Sequence, residues 1–124
     1  MLFHGPLFQS IRSLLGISRD GAEGTVIGGR DLGWPAAEWK TDPAAVDGGL
    51  QLAVLWAERV LGGASLPMSV SEFRVYQSGP LEGPARCVVR ARQAIGGVAE
   101  CDVALIDTAV RVELRGVSLV RRPD

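Results

Sequence analysis

Residues 42 to 61, DPAAVDGGLQLAVLWAERVL, read as one helix that is apolar on most of its circumference, and this restricts the fold more than any other stretch. Asp42 stands before Pro43, which suits an N-cap followed by proline at the first helical position, where its missing N–H costs nothing. The glycines at 62 and 63 end the run. Val46, Leu50, Ala53, Val54, Ala57 and Leu61 make one apolar stripe, and Leu52, Leu55 and Trp56 make much of the remainder apolar too. Such a helix must be wrapped by other structure.

The rest of the chain supplies the wrapping. Upstream, IRSLLGISR and EGTVIGG flank the turn signal Asp20-Gly21 and predict a hairpin. From 28 to 41 the Gly, Pro and two tryptophans, Trp34 and Trp39, predict an irregular loop. After Pro67 the period changes to two. AECDVAL sets Ala99, Cys101, Val103 and Leu105 against Glu100 and Asp102, and VRVELRG sets Val110, Val112 and Leu114 against Arg111, Glu113 and Arg115. VSLVRR continues that last strand or bends away after Gly116. Two strands, one long buried helix and three or four antiparallel strands predict an α+β hotdog, a curved antiparallel sheet wrapped around one long central helix. At 124 residues, the chain is one domain, 1–124.

Composition narrows the function. A net charge of −1 gives no basic field for nucleic acid. No apolar stretch is long enough to span a membrane, and the N-terminus does not read as a signal peptide, so the expectation is a cytoplasmic protein. Cys87 and Cys101 lack metal-ligand spacing, so no metal is expected. They read as two buried thiols, with a disulfide the alternative in an oxidising compartment. GTVIGGR lacks the lysine and hydroxyl of a phosphate loop, and Ser65, Ser69 and Ser71 have no His and acid at motif spacing. Arg86, Arg90, Arg92, Arg111, Arg115, Arg121 and Arg122 make either a solvated strand face or a basic patch. Such a patch would suit the phosphate of a carrier arm or an acidic carrier protein.

One pair of polar residues interrupts the apolar helix. Asp47 and Gln51 are spaced i and i+4, on one face near the positive end of the helix. Either Asp47 is an acid merely favoured by that end, or its apolar neighbours Val46, Leu50 and Val54 desolvate it. Desolvation raises a carboxyl pKa toward the range of a general acid, and Gln51 would then orient it by a hydrogen bond. His4 is the only histidine, either a base candidate or a structural residue beside a Gly-Pro turn. Gly48 and Gly49 weaken the helix and allow close approach of a strand or of substrate.

LFHGPLFQ, followed about forty residues later by DPAAVDGGLQ, resembles the C-terminal half of the dehydratase domain of polyketide synthases and polyunsaturated-fatty-acid synthases. In that family a GP-x-FQ motif enters the second hotdog and a D-x-x-x-Q/H motif opens its helix. LPMSVSEFRVY and VRVELRGVSLVRR look like the later strands of that half-domain, so the resemblance extends over nearly the whole chain. It implies dehydration of a 3-hydroxyacyl thioester, carried on the phosphopantetheine of an acyl carrier protein, to the 2-enoyl thioester, with no further cofactor. It implies Asp47 as the acid that protonates the departing hydroxyl, Gln51 as its support, His4 as a hydrogen-bonding neighbour, and Gly5, Pro6 and Phe8 as walls of the acyl tunnel.

The family's base is a histidine in an H-x-x-x-G-x-x-x-x-P motif on the first hotdog, and this chain holds neither. Three arrangements follow. A separate N-terminal dehydratase half supplies the base; a homodimer restores the double hotdog with His4 recruited; or the chain is a non-catalytic module that binds carrier-linked acyl chains or braces a larger synthase. The first is preferred, because an unpaired sheet edge needs a partner.

Overall fold

The computed structural model describes residues 11–27, 43–77 and 83–122. The Asp42 cap and the expected loop with Trp34 and Trp39 lie outside the described residues. The elements run β1 (Ile11–Ser18), β2 (Gly21–Val26), α1 (Pro43–Leu61), β3 (Ser65–Val75), β4 (Ala85–Ile95), β5 (Val98–Ile106) and β6 (Val110–Arg121). The strands form one sheet in the order β1-β2-β4-β5-β6-β3, antiparallel at every step. This is the mostly antiparallel sheet with one helix that the element order predicts, and all six strands touch α1.

Alternation decides which side of the sheet meets the helix. Ala99, Cys101, Val103 and Leu105 are buried on one face of β5, and Glu100, Asp102 and Ala104 lie on the other. Neighbouring strands keep the same sense: Cys87 and Val89 on β4, Val112 and Leu114 on β6 are buried. VSLVRR does continue the strand after Gly116. That glycine takes a left-handed φ of 63°, and its N–H donates to Asp102 Oδ1 at 2.9 Å. The bulge shifts the register between Cys101 and Val103, so Val117 and Leu119 still reach the core.

The helix does not bury the face first expected. Of the stripe Val46, Leu50, Ala53, Val54, Ala57 and Leu61, only Ala53 and Ala57 are buried; the larger four are half-buried. The arc against the sheet is Ala45, Gly48, Gly49, Leu52, Ala53 and Trp56. Small residues let the helix axis come close to the strands, and close approach decides which side is the inside. A Cβ on Gly49 would stand 3.1 Å from Val103 Cγ1, 3.5 Å from Leu105 Cδ2 and 3.7 Å from Cys87 Sγ. Trp56, fully buried, donates its indole N–H to the carbonyl of Arg19 at 3.2 Å and ties the helix to the β1–β2 turn.

The cysteines are both free and buried, and burial pushes each thiol up to about 12. Cys87 pairs in register with Leu105 and Cys101 with Ala91. The two are offset by four residues, about 13 Å along the strands, too far for a disulfide.

Gly49 yields the first prediction. Gly49→Leu forces side-chain atoms into Val103 and Leu105 and should destabilise the fold by about 1–3 kcal/mol. Gly49→Ala should stay within about 1 kcal/mol of the parent, because gained helix propensity opposes the crowding. Urea unfolding of both variants checks this, and equal stabilities would mean that the helix does not sit this close.

Candidate active site

Asp47 and Gln51 follow from the same helical geometry. At about 100° per residue, the arc opposite Gly49 and Trp56 carries Asp47, Gln51 and Glu58, with Leu50, Val54 and Leu61 among them. Asp47 is exposed in the single chain; Gln51, Leu50 and Val54 are half-buried. The pair is joined: Gln51 Nε2 donates to Asp47 Oδ2 at 2.6 Å. The spacing that suggested an acid and its support therefore produces a direct contact.

Two effects act on the carboxyl. Desolvation by the surrounding protein raises its pKa above the usual aspartate value, and the hydrogen bond from Gln51, which favours the charged form, lowers it. Desolvation is the larger, so Asp47 holds its proton to higher pH than an ordinary aspartate. The other side of the amide is left over. Gln51 Oε1 is buried and has no hydrogen-bond partner among the described residues, which leaves a built acceptor beside the acid. Sequence reasoning missed this atom, since nothing in a one-turn spacing says which way an amide is turned.

The remaining site expectations divide by position. Gly48 is buried on the helix and faces the sheet rather than the acid's side. His4, Gly5, Pro6 and Phe8 lie outside the described residues. Among the described residues no group of three or more His, Cys, Asp or Glu is placed to hold a metal, and no helix is long and apolar enough to cross a membrane. The arginines do not form a single patch. Arg86, Arg90, Arg92 and Arg115 share one cleft on the face of the sheet away from α1, and Arg111 is buried with its Nη1 2.7 Å from Asp107.

Comparison with known proteins adds a family. The family model described as the polyketide synthase dehydratase N-terminal domain matches residues 1–123. One of the polyunsaturated fatty acid synthase subunits of Thraustochytrium sp. is 32% identical over 102 residues, covering 77% of this chain and 4% of that protein. The chain thus spans a small fraction of the curated relative it matches. Among solved structures, GphF dehydratase 1 superposes with a TM-score of 0.71 at 17% identity, over 98% of this chain and 46% of that one. The dehydratase heterocomplex ApeI:P from Xenorhabdus doucetiae gives 0.75 at 10% identity, over 98% and 88%. The matching family model is described as the N-terminal domain, whereas the motifs resemble the C-terminal half.

A titration follows from the pair. Asp47 should titrate above the usual aspartate value in a carboxyl-detected NMR series. Gln51→Met, which keeps the bulk but removes the donor to the charged form, should move it further up. A downward move in that variant would mean that Gln51 favours the protonated acid, its Oε1 accepting from the carboxyl O–H, and not the charged form.

Proposed function

The chain belongs to the polyketide synthase dehydratase family, and we propose that it is one hotdog of a dehydratase that takes water from a 3-hydroxyacyl thioester on an acyl carrier protein. The carrying observation is the Gln51–Asp47 contact on the arc of α1 turned away from its own sheet, with desolvation keeping the acid protonated to higher pH. In the proposed step a base takes the proton from C2, the C2–C3 double bond forms and the C3–O bond breaks. Asp47 gives its proton to the departing hydroxyl, which leaves as water. Gln51 holds the Asp47 carboxyl in line, and its buried Oε1 accepts from a donor on the substrate arm or on a facing hotdog.

The base is assigned to a second hotdog, in keeping with the C-terminal-half reading of the motifs: the sequence has one histidine and lacks the family's H-x-x-x-G-x-x-x-x-P. The edge of the sheet supports such a partner. Among the described residues β3 pairs only with β6, and Leu66, Met68, Val70, Phe73 and Val75 along it are exposed. Val70, Phe73 and Val75 lie opposite Val117, Leu114 and Val112, all buried, so they continue the core face past the end of the helix's cover. The other edge, β1, is broken by two register shifts, which discourages pairing there. A second hotdog added at β3 covers both the open backbone and this apolar strip.

Two outcomes test the reading. With an N-terminal dehydratase half that carries the histidine motif, Asp47→Asn should cut turnover of a 3-hydroxyacyl pantetheine thioester by about 10²-fold or more while leaving the fold intact. Undiminished turnover removes Asp47 from the chemistry; a folded parent with no turnover beside any such half favours a module that only binds acyl chains. Phe73→Glu places a charge on the strip and should abolish association in sedimentation, whereas association that survives it puts the interface elsewhere.

A further inference from the structure

The sheet face away from α1 carries a second feature that the dehydration chemistry does not use. A cleft of about 570 Å³ lies across β4, β5 and β6, bordered by Arg86, Arg90, Arg92 and Arg115 together with Asp102 and Glu113. Three of the arginines are already paired. Arg86 Nε lies 2.6 Å from Glu23, Arg92 Nε 2.9 Å from Asp102, and Arg115 Nε 2.9 Å from Glu113. Arg90 makes no ion pair or hydrogen bond with its side chain among the described residues, and it is exposed.

The sheet register explains why. Arg90 stands directly opposite Asp102, the acid that would ordinarily neutralise it. Asp102 is committed elsewhere: Oδ1 accepts the Gly116 N–H at 2.9 Å, which holds the β6 bulge, and Oδ2 accepts from Arg92 Nε at 3.0 Å. Among the described residues Arg90 is left with its fork open. The side chains bordering the cleft carry four positive and two negative charges, and Glu23 offsets Arg86 from just outside it, so the charge left over is that of Arg90. A phosphate monoester is anionic near neutral pH, and an arginine fork matches its oxygens two at a time. Between the charges the floor is apolar, formed by Val88, Ala104, Ile106 and Val110. The volume is that of a small-molecule site.

We propose that this cleft binds a phosphate monoester carrying a small apolar group, with Arg90 as the residue that grips the phosphate. The site lies across the sheet from the helix that carries Asp47, so it does not rest on the dehydratase reading. A ligand held there is not the arm of a substrate reaching the acid.

Titration with phenyl phosphate, followed by backbone amide shifts, tests it. Saturable binding should centre on Arg90 and Asp102, with inorganic phosphate weaker at the same residues and phenol without effect. Arg90→Gln should weaken phenyl phosphate about tenfold or more, Arg90→Lys should recover part of the loss, and Arg59→Gln, an exposed charge on α1, should change nothing. The proposal is overturned by non-saturating shifts, by an Arg90→Gln chain that binds as tightly as the parent, or by equal losses in Arg90→Gln and Arg59→Gln. Inorganic phosphate binding as tightly as phenyl phosphate would overturn the apolar half of it.

Discussion

α1 meets β4 and β5 so closely at Gly49 that a single added carbon would press on Val103, and the orientation of the helix follows from this contact. Rotating the helix by one residue, about 100°, would bring a larger side chain against the strands and push the axis outward. The small-residue arc fixes the rotation, and the rotation turns Asp47 and Gln51 to the side opposite the sheet. A carboxylate on the sheet side would be buried against Val103 and Leu105 without a donor, a placement that costs several kcal/mol. Core packing and the position of the acid are thus one constraint.

The same rotation leaves an excess of apolar surface. Val46, Leu50, Val54 and Leu61 are half-buried, and Val70, Phe73 and Val75 extend the core face along an open edge. One six-stranded sheet covers one side of a helix that is apolar on nearly all sides. A chain that keeps this much greasy surface beside a strand with one neighbour among the described residues suits a covering partner. A facing hotdog would cover both surfaces at once and bring its own groups toward Asp47.

Much of the fold was legible because it depends on periodicity. The alternation of Ala99 to Leu105 named the buried face of β5 residue by residue, and the Pro43 and Gly62 signals bounded the helix. The choice of buried arc was not legible from hydrophobicity, since valine and leucine outrank glycine and alanine on any such scale. The useful signal was size: Ala45, Gly48, Gly49, Ala53 and Ala57 lie together on the arc that packs. Asp47 and Gln51 were legible as a pair from spacing alone. The open fork of Arg90 was not, because it depends on a bulge at Gly116 that draws Asp102 away, and local sequence carries no sign of which acid a strand arginine will find.

The acid's behaviour depends on what covers it. In the single chain Asp47 is exposed, and its proton is held by partial desolvation against the pull of Gln51. A facing hotdog would remove more water and raise the pKa further; a protonated histidine brought with it would lower it. The sign for stability is fixed in either setting by which effect is larger. While desolvation wins, the protonated form is the better folded one, so the group's contribution is full at low pH and is lost as pH rises through its raised value. Under the proposed dehydration, a neutral base beside a protonated Asp47 is the state that elimination would need, and it is also the state with no buried charge. Assembly and catalysis would then favour the same protonation of Asp47.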